Sequence, residues 1–159
     1  MDMKYEDFLK QKEKKHIHSG FDCEPRNRGL KPFQRFIVKK ALKAGRYSIF
    51  ADTGLGKTLI QLVCAEEIVR HTKKEVLILA PLAVVQQTIN EAEKFKINLD
   101  GITVTNYEQL DNIDTSVFIG VVLDESSILK SFDGKTSNKL ISTFSQTPYK
   151  LCCSATPSP

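Results

Sequence analysis

Two short groups of residues in this chain have the types and spacing to handle a polyphosphate. The first is ADTGLGKT, residues 51–58. Gly54 and Gly56 let the backbone curl so that its N–H groups point inward, where a Cβ would clash. Lys57 brings a point charge to the β- and γ-phosphates, and the Thr58 hydroxyl is a ligand for Mg²⁺. The expected lining is Thr53, Gly54, Leu55, Gly56, Lys57 and Thr58, with Ala51 where the general pattern asks for Gly. The second group is Asp124-Glu125, which closes the apolar run VVL at 121–123. Asp124 suits a metal ligand, and Glu125 suits a general base on a water. Read alone, Asp124 ahead of Ser126 and Ser127 is equally an acidic helix cap.

These residues need elements to hold them. The apolar run YSIFA (47–51) enters the Gly-bearing loop, and the stretch from Leu59 to Ala65 leaves it. That is a strand, a loop and a helix in the order a phosphate cradle requires, with unpaired helix N–H groups aimed at the anion. Upstream, Tyr5, Phe8 and Leu9 predict a short amphipathic helix over 3–15, and residues 16–31 read as loop. Pro32 opens a helix that Gly45 ends, with Phe33, Phe36, Ile37, Ala41 and Ala44 as the expected buried face.

Downstream the pattern alternates. Strands are expected at 76–80, 102–105, 117–123 and 149–153. Helices are expected at 57–70, at 84–95 with Val85, Thr88, Ile89, Ala92 and Phe95 inward, and near 135–145 with Leu140, Ile141 and Phe144 buried. Continuous apolar strands separated by helices predict an α/β fold, a parallel sheet sandwiched between helices. In such a sheet, ligands bind beyond the carboxyl ends of the strands. Those ends carry the phosphate loop, Pro81-Leu82, Asp124-Glu125 and Ser154-Ala155-Thr156.

Composition bounds the rest. A chain of 159 residues, 41% hydrophobic and 26% charged, is one domain with a sizeable core. No apolar stretch reaches membrane-span length, and the start MDMKYEDFLK is no signal peptide. Cys23, Cys64, Cys152 and Cys153 form no C-x-x-C pair, so free thiols in a reducing, cytoplasmic setting are expected. Adjacent in one strand, Cys152 and Cys153 point to opposite faces. The net charge of +4 is concentrated at the start, where residues 1–46 hold thirteen Lys/Arg against six Asp/Glu. That asymmetry suits a polyanionic partner, although Lys10–Lys15 alone reads as a solvated helix face.

The order of these motifs resembles the first RecA-like domain of superfamily 2 helicases and translocases, and more closely the Swi/Snf-like branch. LKPFQ (30–34) resembles the Q motif, ADTGLGKT motif I, LILAPLAVVQQTINEAEKF (77–95) motif Ia, TNYEQL (105–110) motif Ib, LDESSILK (123–130) motif II, and CSATP (153–157) motif III. Ser126 and Ser127 depart from the family's DEAD or DEAH and put its motif II to motif III contact in doubt.

The resemblance implies ATP and Mg²⁺ as cofactors, with Lys57, Asp124 and Glu125 catalytic and Thr58 and Asp124 on the metal. It implies that Gln34 reads the adenine edge, and that Ser154, Ala155 and Thr156 couple nucleotide state to nucleic acid. Pro81, Leu82, Thr105, Tyr107 and Lys130 become candidate nucleic-acid contacts, with double-stranded DNA the expected partner. Phe21 is either core or an aromatic stacked on the adenine. The strand leading into motif III is expected between those of motifs I and II. The expected organisation is an N-terminal helix and adenine-side loop over 1–31 and a first motor lobe over 32–159. A second RecA-like lobe, the source of an arginine finger, is expected elsewhere in the full protein. Two other readings remain at this point: a self-contained P-loop phosphotransferase, and a non-catalytic interaction module on a motor-lobe fold.

Overall fold

The computed structural model describes residues 19–50, 56–125 and 134–154. The expected N-terminal helix lies outside these residues, as do Thr53, Gly54, Leu55, Lys130, Ala155 and Thr156. The elements run α1 (Pro32–Ala44), β1 (Arg46–Phe50), α2 (Lys57–Thr72), β2 (Glu75–Ala80), α3 (Leu82–Lys94), β3 (Ile102–Asn106), two 3₁₀ turns (Tyr107–Asn112 and Thr115–Val117), β4 (Phe118–Asp124), α4 (Gly134–Thr143) and β5 (Tyr149–Ser154).

The five strands form one sheet in the order β1-β5-β4-β2-β3, and every pairing is parallel. β5 therefore lies between β1 and β4, the expected place for the strand that ends at Ser154. In register, Phe50 faces Ser154 across one pairing, and Asp124 faces Cys153 across the next. All the strand ends that matter to the site thus stand side by side.

Strand alternation divides the core into two layers. Val76, Ile78, Val122, Leu151 and Cys153 pack on one face with Val38, Leu42 and the apolar length of α2. Leu77, Leu79, Val121 and Leu123 pack on the other with Tyr107, Leu110, Leu140 and Phe144. β2 is buried on both faces, as a central parallel strand should be. α2 is buried along most of its length, Leu59 through Ile68, because the sheet, α1 and α3 surround it. Cys152 and Cys153 fall on opposite layers as alternation requires.

Two helix faces differ from the sequence expectation. In α1, Phe33 and Phe36 are exposed, as is Ala44, while Gln34, Val38, Ala41 and Leu42 are buried. The sequence carries apolar residues on two faces of this helix, so periodicity admits two rotations. Spacings of three and four put Phe33 and Phe36 on the face of Lys40 and Lys43, which must stay wet. Lys40 indeed lies over the Phe36 ring, 5.6 Å from its centroid. In α4 and at its end, Leu140 and Phe144 are buried but Ile141 is exposed. Leu140 and Phe144 stack at i, i+4, whereas Ile141 is turned about 100° away. In α3, Thr88 and Ala92 are buried, and Val85, Ile89 and Phe95 are half-buried.

The rotation of α4 is testable. Leu140→Ala should lower the unfolding free energy by about 2–5 kcal/mol, the usual cost of a large-to-small core change. Ile141→Ser should change it by no more than about 0.5 kcal/mol. Urea unfolding that reverses this order would contradict the placement.

Candidate nucleotide site

The site is built where the first turn of α2 meets the ends of β4 and β5. Gly56 is the N-cap of α2 and adopts a left-handed conformation, φ 73°. A Cβ there would press on the Gln34 side-chain amide, and the left-handed backbone itself favours glycine. Lys57 and Thr58 then occupy the first two helical positions. No acidic side chain sits in that first turn, which leaves its positive dipole end suited to an anion.

Lys57 is only 4% exposed. Its ammonium donates to Glu125 Oε1 and lies 3.3 Å from Asp124 Oδ1. Burial alone would drive its pKa down, but the hydrogen bond to Glu125 and the charges of Asp124 and Glu125 more than reverse that and raise it. Lys57 is therefore a cation throughout the physiological range.

Asp124 is 2% exposed and held from two sides. Alternation along β4 turns its side chain onto the α2 layer, the same side as Val122. There Gln61 Nε2 donates to its Oδ1 at 2.8 Å. From the other layer the Tyr107 hydroxyl donates to its backbone carbonyl at 2.6 Å. Glu125, the next residue, has φ 51°, a left-handed conformation unusual outside glycine. Such strain costs on the order of 1 kcal/mol or more and persists where the surroundings impose it. Here it leaves the Glu125 carboxylate on the Lys57 ammonium.

The remaining predicted residues divide clearly. Gln34 is buried, so it is no exposed helix residue, and its Oε1 accepts from the Lys31 backbone N–H at 2.8 Å. The amide end of Gln34 faces Gly56. Ser154 is buried at the end of β5. Pro81 caps α3, and Leu82 beside it is 68% exposed, with Thr105 half-buried on the neighbouring strand. Tyr107 is a correction: it is 3% exposed and its hydroxyl is engaged with Asp124, so it braces the site from within and presents no surface to nucleic acid.

Of the two readings of Phe21, the structure takes the core one. Its ring stacks on His71, centroids 3.8 Å apart. His71 is in the last turn of α2, about 20 Å along the helix from Lys57 at 1.5 Å per residue. Phe21 is thus packed at the end of the helix remote from the phosphate loop. Sequence reading missed Gln61. Its one signal is a polar residue inside the apolar run Leu59–Ala65, four positions after Lys57 and so on the same helix face.

A cleft of about 720 Å³ elsewhere, lined by Asp22, Glu24, Phe36, Lys39, Lys40 and Lys43, does not compete. Both of its carboxylates are already paired, Glu24 with Lys39 at 2.9 Å and Asp22 with Lys43 at 4.0 Å. The thiols offer no nucleophile. All four cysteines are free, and burial with a hydrogen bond to Glu67 pushes Cys23 up to about 12.

The donor set therefore fits a nucleotide and its metal: one buried ammonium, a hydroxyl, a helix start free of acidic residues and two carboxylates on adjacent residues. A DEAD/DEAH box helicase family model matches residues 31–117, more than half of the chain. The chain belongs to this family. The match stops short of Asp124, so the geometry above supplies that part of the site.

The bifunctional helicase and thymine dioxygenase JBP2 of Trypanosoma brucei brucei is 35% identical over 84 residues, 52% of this chain and 8% of that protein. Among solved structures, the UvsW helicase from bacteriophage T4 superposes with a TM-score of 0.68 at 19% identity, covering 96% of this chain and 60% of that one. A Sulfolobus solfataricus SWI2/SNF2 ATPase core, solved with double-stranded DNA, gives 0.64 at 23% identity, covering 85% of this chain and 34% of the other. The chain thus spans less than two thirds of each. Its fold is that of a RecA-like lobe of helicase type. Among the described residues, no helix is long and apolar enough to cross a membrane.

The charge state of Lys57 has a pH signature. A raised pKa in the folded chain means that its ionic contribution to stability is fully present below the unfolded value of about 10.4. It is lost as pH rises through the higher folded value. The difference in unfolding free energy between wild type and Lys57→Met, both nucleotide-free, should stay flat from about pH 6 to about pH 9 and shrink only above about pH 10.4. A difference that shrinks near neutrality would contradict the cationic, carboxylate-bound state.

Proposed function

We propose that this lobe binds Mg²⁺·ATP and, joined to a second RecA-like lobe, hydrolyses it to drive movement on double-stranded DNA. The observation that carries the reading is the buried Lys57 ammonium, set at a helix start and shared by Asp124 and Glu125. In this reading Lys57 exchanges its Glu125 contact for phosphate oxygens when nucleotide binds. The exchange frees the Glu125 carboxylate to accept a proton from a water, while Asp124 and Thr58 hold the metal. The bound metal would neutralise charge on the phosphates. The phosphate cradle is assigned to residues 53–58, and Gln34, whose amide faces Gly56, selects adenine.

Ser154, with Ala155 and Thr156, carries the state of the site to nucleic acid through its place between β1 and β4. Pro81, Leu82, Thr105 and Lys130 contact the nucleic-acid backbone, where loop N–H and hydroxyl groups read phosphate rather than sequence. The motor lobe is residues 32–159, with residues 1–31 as its N-terminal approach, working in a reducing cytoplasm. A self-contained phosphotransferase has no observation in its favour, and family membership weighs against it. The intact charged triad weighs against a non-catalytic module.

Three outcomes are expected. Lys57→Ala removes a charge-assisted contact to phosphate and should weaken ATP and ADP binding by about 1.5–3 kcal/mol. Equal affinities by calorimetry would sink the phosphate-loop assignment. Gln34→Ala should narrow the gap between ATP and GTP affinity, since a site built around donor–acceptor pairs rejects a base that leaves them unmade. A wild-type chain with no ATP preference would overturn the adenine reading. Finally, residues 1–159 alone should hydrolyse ATP slowly and respond little to DNA. A trans arginine is worth roughly 10³–10⁵ in rate. Linking a second RecA-like lobe should restore DNA-stimulated turnover, and Glu125→Gln should abolish it again. Robust DNA-stimulated turnover by the monomeric 159-residue chain would contradict the two-lobe account.

A further inference from the structure

Gln61 is fully buried in the middle of α2, where its neighbours Leu59, Ile60, Leu62 and Val63 are all apolar core. An amide in such a place costs free energy unless its groups are satisfied. One end is: Nε2 donates to Asp124 Oδ1, the same oxygen that Lys57 approaches. The other end is not. Among the described residues, Gln61 Oε1 is buried without a hydrogen-bond partner. A leucine would fill this space without that penalty but would take a donor from the buried Asp124, so the amide's place here is set by that carboxylate and not by packing.

We propose that Gln61 is a positioning residue for the metal: it fixes the Asp124 carboxylate, and its unpartnered Oε1 accepts from a water on the bound Mg²⁺. The inference rests on the nucleotide reading above. Lys57 alone holds Asp124 less firmly in the loaded state, because in that reading its ammonium is shared with the phosphates. Gln61 has no such duty and can hold the carboxylate in both states. Groups that orient a metal ligand in this way are typically worth about 10–100-fold in metal affinity.

The test uses the 159-residue chain with ADP as probe, titrated by calorimetry in EDTA and at rising Mg²⁺. Gln61→Leu and Gln61→Met remove both amide groups while keeping the volume filled. Each should leave ADP affinity in EDTA within about twofold of wild type and raise the Mg²⁺ concentration for half-maximal enhancement about tenfold or more. Gln61→Glu keeps an acceptor but sets a second carboxylate on Asp124, and should raise it further.

In parallel, the Gln61 side-chain amide resonance should shift on adding Mg²⁺ to the ADP complex of the wild type. Wild-type Mg²⁺ dependence in both apolar variants, or a static resonance, would overturn the proposal. An equal loss of affinity with and without Mg²⁺ would show a purely structural role and overturn it as well. Failure of the wild type to bind ADP at all would instead overturn the nucleotide reading, and this inference with it.

Discussion

A carboxylate buried under a helix governs this structure. Asp124 lies at the end of β4, and alternation gives it the parity of Val122, so it points into the layer covered by α2. A bare charge there would be costly to bury. The first two turns of α2 supply the compensation, with Lys57 and Gln61 both directed at Oδ1. Tyr107 fixes the backbone of the same residue from the opposite layer. The helix start, two strand ends and a 3₁₀ turn are thereby tied to one residue. Moving any of them by one position would leave a buried polar group unmet.

The same arrangement explains how a packed core can also be a binding site. Lys57 is buried and cationic, yet its Glu125 partner is the more exposed of its two carboxylates, 30% against 2% for Asp124. An incoming phosphate can replace the outer partner without disturbing the inner one. The left-handed backbone at Glu125 fits this division, since it lifts that residue out of the strand just as Asp124 remains in it. Rigid and exchangeable parts of the site are consecutive in sequence.

Much of this was legible from residue types. The strand–loop–helix context of ADTGLGKT and the acidic end of VVLDE fix the location of the site, because few other uses exist for those residues at those spacings. The strand order follows less directly: periodicity implied a parallel sheet, and the place of β5 came from the family resemblance. What was hidden depends on rotation and depth. The α1 stripe was misread because Phe33 and Phe36 look like core until the lysines on their face are counted. Ile141 looks like core on α4 until Leu140 and Phe144 claim the buried face and leave it about 100° away. Tyr107 and Gln61 could be valued only once tertiary packing showed what each touches. Phe21 lies in a loop that could run to either end of α2, and only the stack on His71 chooses between them.

The central claim is that Lys57 rests on acidic partners and gives up the outer one to phosphate. A crystal structure of the chain with Mg²⁺ and a non-hydrolysable ATP analogue tests it most directly. The account predicts the Lys57 ammonium on phosphate oxygens and off Glu125, with Asp124 still hydrogen-bonded to Gln61 and facing the metal. Analogue bound elsewhere, or Lys57 still paired with Glu125 beside bound phosphates, would contradict it.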